Sequence, residues 1–94
     1  MGELDGDWAV ERLSGALPPL IGCVKRIDGA HGTTEFRYLP GMPFEVRGLE
    51  LHYRGPFGPL VDKLEPSDEG YLGHATLFGR EFGQFSLRRL GAAG

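Results

Sequence analysis

The segment Tyr71-Leu72-Gly73-His74-Ala75-Thr76-Leu77-Phe78-Gly79-Arg80-Glu81-Phe82-Gly83-Gln84-Phe85-Ser86-Leu87-Arg88-Arg89 reads as two strands folded back on one another. Apolar and polar residues alternate on both sides of Gly79, the pattern of a half-buried β-hairpin. Gly79-Arg80 suits a two-residue type II′ turn, with glycine in the first central position. That turn pairs His74 with Phe85, Leu72 with Leu87 and Thr76 with Gly83. The face holding Leu72, Phe78, Phe85 and Leu87 is then the inner one, and it extends to Arg89. The opposite face carries Tyr71, Gly73, Ala75 and Leu77 against Arg88, Ser86, Gln84 and Phe82. Period-two pairing thus predicts that Arg89, not Arg88, points inward.

Further short strands precede this hairpin. Asp7 to Leu13 places Trp8, Val10 and Arg12 on one face, and Ser14 to Pro19 interrupts it. The run Ala16-Leu17-Pro18-Pro19-Leu20 suits a lid across a barrel mouth. Gly22 to Ile27 is a second strand, followed by a turn at Asp28-Gly29-Ala30-His31-Gly32. Thr33 to Tyr38 sets Thr34, Phe36 and Tyr38 on one face. Phe44 to Tyr53 holds two alternating pieces of opposite parity, and a bulge or bend at Gly48 would restore a single face. Leu60 to Leu64 is short and ends at Pro66-Ser67-Asp68-Glu69-Gly70. No apolar spacing of helical period is sustained anywhere in the chain.

Gly6-Asp7-Trp8 on the first strand and Arg88-Arg89 on the last mark the two ends of this pattern. A guanidinium plane on an indole face is a favourable cation–π contact and would staple first strand to last. This pair resembles the signature of the calycins, the lipocalins and their relatives. In those barrels the Trp and Arg stack across the closed end, and the cavity usually holds a small apolar molecule. The stretches Gly58-Pro59-Leu60-Val61-Asp62, Tyr71-Leu72-Gly73 and Phe85-Ser86-Leu87-Arg88-Arg89 also resemble small bacterial lipocalin-like domains of unassigned function. The expected fold is therefore all-β: a small antiparallel calycin-like barrel of roughly eight short strands. At 94 residues the chain is shorter than a standard lipocalin. An incomplete barrel, an open sandwich or a barrel completed by a homodimer therefore competes.

Composition bounds the rest. Sixteen glycines and seven prolines suit an all-β domain with many turns, and 40% hydrophobic content argues against disorder. One domain, 1–94, is expected, with 1–5 and 91–94 flexible. The net charge is −3, and the nearest approach to a basic cluster is Lys25-Arg26 with Arg88-Arg89. Nucleic acid is therefore not an expected partner. No apolar run suggests a signal peptide or a membrane span, so no membrane partner is expected and the expected location is cytoplasmic. Cys23 is the only cysteine and reads as a small buried hydrophobe rather than a nucleophile. His31, His52 and His74 lack metal-ligand spacing, and no glycine-rich phosphate loop opens a helix. No metal or other cofactor is expected.

Parity sets several polar groups on apolar faces: Asp62 between Leu60 and Leu64, His74 against Phe85, Tyr38 after Phe36, and Tyr53 after Leu51. Burying such groups unpaired costs about 1–3 kcal/mol each, and more for a carboxylate. They need partners, water or a ligand. The expected function is binding of a small hydrophobic or aromatic molecule, with Phe36, Tyr38, Leu51, Tyr53, Asp62, His74 and Phe85 facing it. Trp8 and Arg89 close the base. A plainer reading has His74 bonded to a backbone carbonyl and Asp62 neutralising an arginine. Two further functions compete. One is a small cyclase or isomerase for a hydrophobic, polyketide-like metabolite, with His74 and Asp62 as acid–base residues. The other is a protein-interaction module that recruits partners through exposed strand edges.

Overall fold

The computed structural model describes residues 2–37 and 39–91. Eight strands follow in chain order: β1 (Gly6–Gly15), β2 (Val24–Asp28), β3 (His31–Glu35), β4 (Met42–Arg47), β5 (Glu50–Tyr53), β6 (Leu60–Ser67), β7 (Gly70–Leu77) and β8 (Arg80–Arg89). Each pairs antiparallel with the next, and β8 pairs with β1, so the sheet closes into a barrel within one chain. Alternation sends Trp8, Val10, Ile27, Phe44, Leu51, Leu64, Phe85 and Leu87 into a shared core, as period two requires. Where two inner positions would collide, one is glycine. Gly73 faces Phe85 across β7 and β8, and a Cβ there would strike the Phe85 ring.

The two ends of the barrel differ. At the base, Trp8 and Arg89 are cross-strand partners, and the guanidinium carbon lies 4.1 Å from the indole centroid. Arg89 Nη1 donates to the Asp5 carbonyl at 2.6 Å, and Trp8 Nε1 donates to the Leu4 carbonyl at 2.9 Å. Tyr71 packs edge-on against Trp8 at 5.4 Å and donates to Glu3 at 2.7 Å. Gly6 explains why a glycine stands two residues before the tryptophan. Its φ is 125°, and a Cβ there would lie 2.5 Å from Arg89 Nη1. The guanidinium occupies the space a side chain would need.

Residues 2–5, expected to be flexible, form part of this base. Leu4 is buried, and the Asp5 carboxylate accepts bonds from the backbone N–H groups of Gly2 and Gly29. Those two bonds lower the Asp5 pKa from its ordinary value. Met1 and residues 92–94 of the expected flexible tail lie outside the described residues.

Two local expectations are corrected. The β7–β8 turn has Phe78 and Gly79 as its central residues, with Leu77 opposite Arg80. Both have positive φ, 50° and 81°, the signature of a type I′ turn rather than II′. A bulge then inserts Phe82 between the pairs Thr76–Glu81 and Ala75–Gly83. The net slip is one residue, which reverses every side chain of β7. Tyr71, Gly73 and Ala75 face inward, while Leu72 and His74 face outward, and Phe78 is exposed. The β8 face was read correctly, because Phe85 and Leu87 are buried. The parity break at Gly48 is likewise a hairpin, not a bulge. Arg47 pairs with Glu50, and Gly48 takes the positive φ of the tight turn between β4 and β5.

Candidate functional site

Inside the barrel, toward the end opposite Trp8 and Arg89, lies a cavity of about 250 Å³. Val10, Leu20, Phe36, Met42, Ala75 and Phe82 are among its apolar walls, and Lys25, Thr34, Tyr53 and Asp62 are its polar lining. The segment after β1 crosses this mouth. Leu17, Pro18 and Leu20 line the cavity and are part-exposed, so the cavity meets solvent there. Arg12 holds the segment in place through bonds to the Leu17 carbonyl at 2.9 Å and the Gly15 carbonyl at 2.6 Å. The bulge in β8 turns Phe82 into the same mouth, out of phase with Phe85.

Lys25 organises the polar lining, and it is 97% removed from solvent, with 3% exposure. β2 and the residue before it set Cys23, Lys25 and Ile27 inward in alternation, so the ammonium is withdrawn from water. The ammonium donates to Thr34 Oγ1 at 2.7 Å and to Tyr53 Oη at 2.7 Å, and it pairs ionically with Asp62 Oδ2 at 3.1 Å. Tyr53 donates its own proton to Asp62 Oδ2 at 2.9 Å, and Thr34 Oγ1 lies 2.7 Å from Tyr53 Oη. The rings of Tyr53, Phe85 and Phe44 surround the ammonium at 5.3, 5.3 and 5.6 Å, within cation–π range. Burial is offset by a complete set of partners and a ring cage, as a buried charge requires.

The electrostatics fix protonation states. Burial pulls the Lys25 pKa down, but the facing charges of Tyr53 and Asp62 and the Tyr53 hydrogen bond outweigh it, so the pKa is raised. Burial pushes Tyr53 up to about 12, against the opposing pull of Lys25. At neutral pH the site therefore presents an ammonium and an intact phenol, neither of them a base or a nucleophile. Burial likewise raises the Cys23 thiol, which fits the expectation of an inert, buried side chain.

The Tyr53 hydrogen bond and the Lys25 ion pair both fall on Asp62 Oδ2. No buried side-chain oxygen or nitrogen lacks a partner, and Asp62, with 11% of its side chain exposed, lines the cavity. The floor of the cavity thus offers a hydrogen-bond acceptor.

The sequence-predicted residues divide as follows. Tyr53, Asp62, Phe36 and Phe85 all line the cavity. Leu51 is buried in the core below it. Tyr38 lies outside the described residues. His74, expected to be inward, is on the outer face, where its ring nitrogens meet Glu81 at 2.6 Å and Glu65 at 3.0 Å. The one-residue slip at the bulge is the cause, and it removes His74 from any acid–base role inside the barrel. The counter-ion of Asp62 is Lys25, not an arginine. Lys25 is not singled out from sequence, where it counts with Arg26 only as part of the nearest approach to a basic cluster. Its flanks Cys23 and Ile27, and the need of an inward Asp62 for a buried cation, were the signals that could have found it.

Among the described residues no three His, Cys, Asp or Glu side chains converge as a metal site, and no helix is long and apolar enough to cross a membrane. The fold and its Trp8–Arg89 closure are compatible with a calycin-like barrel. The chain matches no protein-family model, no curated protein and no solved structure.

Proposed function

We propose that this is a calycin-like binding barrel whose cavity takes one small, largely apolar molecule carrying a hydrogen-bond donor. The observation that carries the reading is the cavity lining: apolar walls surround a carboxylate, Asp62, whose Oδ2 takes the contacts of Tyr53 and Lys25, and Oδ1 is the acceptor assigned to the ligand. A few placed polar groups in an apolar concavity are what small-molecule sites share. Size supports a compact ligand. A dry apolar cavity of about 150 Å³ holds benzene, so one of this size takes roughly ten non-hydrogen atoms. The ligand enters past Leu17 and Leu20, stacks its body between Phe36 and Phe82, and donates to Asp62.

This reading is favoured over a base-catalysed isomerase because His74 faces outward and Lys25 and Tyr53 keep their protons, which leaves such an isomerase Asp62 alone, without a second acid–base partner. It is favoured over strand recruitment because the closed ring leaves no free edge.

Indole and N-methylindole test it, since they differ in a single N–H donor. Titration calorimetry should show indole binding about tenfold or more tightly, the value of a hydrogen bond to a charged acceptor. Ala75→Leu, which fills the cavity, should abolish both. Failure of indole to bind, indole binding no tighter than N-methylindole, or binding unaltered in Ala75→Leu would sink the proposal.

A further inference from the structure

The outside of the mouth is built differently from the outside of the base. Six of the seven large apolar side chains exposed among the described residues lie at the mouth end: Leu13, Ile21, Leu39, Phe57, Leu77 and Phe78. Ile21 is 81% exposed, Phe78 78% and Leu39 66%. Only Leu90 is at the base. Charge divides along the same axis. The connections at the mouth, 16–23, 36–41, 54–59 and 78–79, contain Arg37 and Arg54 and no carboxylate. At the strand ends there, Arg80 stands beside Glu81, which is already bonded to His74 and Gln84, and Glu35 is bonded to Arg26. The segments at the base, 2–5, 29–30, 48–49 and 68–69, contain Glu3, Asp5, Asp68 and Glu69 and no basic residue. A chain of net charge −3 thus places an apolar rim with basic connections at one end and acidic connections at the other, where the strand ends bring Arg47, Arg88 and Arg89.

Phe78 adds an independent observation. It occupies a turn position with φ 50°, the one non-glycine residue of positive φ among the described residues. A type I′ turn prefers Asn or Asp there, and an aromatic residue is poorly suited to it. The ring makes none of the aromatic contacts formed by Trp8, Tyr71, Phe44 and Tyr53. Local rules are broken in this way where a surface is used.

We infer that the mouth docks on an anionic lipid bilayer, with Ile21, Leu39, Phe57 and Phe78 entering the interface and Arg54 and Arg80 facing lipid phosphates. Apolar insertion combined with basic attraction is how peripheral proteins hold a charged membrane. The acidic base then points away from the surface. Docking in this orientation turns the cavity opening toward the bilayer. The inference stands whether or not the cavity binds indole. The absence of a membrane-spanning helix has no bearing on a surface contact.

Vesicle flotation tests it, with phosphatidylcholine alone and with equal parts phosphatidylcholine and phosphatidylserine. The protein should float with the mixed vesicles and remain behind with the neutral ones. Arg80→Gln should weaken partitioning about fivefold, the effect of one interfacial basic charge. Ile21→Ser combined with Phe78→Asn should reduce it tenfold or more. Asn suits the I′ turn, so this variant keeps the fold, and its urea midpoint verifies that. Indole binding by the same variant separates docking from the cavity. Three results would each overturn the inference: no flotation with mixed vesicles, equal flotation with both kinds, or full flotation of the double variant. So would a dimer in sedimentation that Phe78→Asn dissolves, since the rim would then join two copies.

Discussion

Replacing Lys25 by Met is the most severe small change the interior can suffer. The methionine fits the same space but removes two donated hydrogen bonds and the cation paired with Asp62. Asp62 would be left among Leu51, Ala75 and the rings with Tyr53 as its one donor. Removing one partner of a buried ion pair costs about 3–5 kcal/mol. A domain of this size has about 5–15 kcal/mol in total. With a urea slope of about 1–1.5 kcal/mol per molar, the unfolding midpoint should fall by about 3 M. Lys25→Met/Asp62→Leu should recover most of that loss. In the double variant Thr34 and Tyr53 still bond to one another, and no charge remains buried. The coupling in the double-mutant cycle should therefore reach about 2 kcal/mol or more. Urea denaturation followed by circular dichroism reads all four proteins. A single-variant cost below about 1 kcal/mol, or a double variant as damaged as the sum of the singles, would refute the buried-pair account.

Alkaline pH provides another test of the same cluster. Tyr53, raised by burial to about 12, and Lys25, also raised, hold in the folded protein protons that the unfolded chain releases above about pH 10. Their contribution is complete below about pH 10 and is lost as pH rises toward the folded values, at about 1.4 kcal/mol per pH unit per proton. Urea midpoints flat from about pH 9 to 11.5 would contradict this. His74 is held above its ordinary pKa first by its bond to Glu65, with burial opposing and Glu81 assisting. Its contribution is present below about pH 6.5 and fades as pH rises through the raised value. Proton NMR should locate that titration above the free-imidazole value, and His74→Gln should leave indole affinity unchanged. A loss of affinity would place His74 back in the site.

The architecture was legible because it depends on period two and on one spatial need. Trp8 and the terminal arginines are legible as a pair through their resemblance to the calycin signature, and period two on β8 selects Arg89 over Arg88. Asp62 and Tyr53 were legible for the same reason, each flanked at two-residue spacing by leucine. His74 was not, because its face depends on a register set by Phe78 at positive φ and by the extra residue Phe82. Nothing local announces either feature: a phenylalanine is a poor marker of a left-handed turn, and a bulge is a property of two strands together. Lys25 failed for a different reason. Read alone beside Arg26 it is a surface residue by base composition, and only the unmet charge of Asp62, thirty-seven positions away by their numbering, calls it inside.

That long-range dependence bears on why the pair exists at all. Hydrophobic residues of similar volume in place of Lys25 and Asp62 would fill the barrel at no loss, and often at a gain, of stability. A chain selected for stability alone has no use for an ammonium caged by Phe44, Tyr53 and Phe85. What the apolar replacement would lose is the Asp62 carboxylate, the acceptor proposed for the ligand. Lys25 supplies the cation beside it, at 3.1 Å, while bonding Thr34 and Tyr53. Lys25 is thus a positioning residue for Asp62. Lys25→Met/Asp62→Leu separates the two demands: it should unfold no earlier than the parent by more than about 1 kcal/mol, yet bind indole no better than N-methylindole. A double variant that still prefers indole would place the donor's partner elsewhere and leave the buried pair without the role assigned to it.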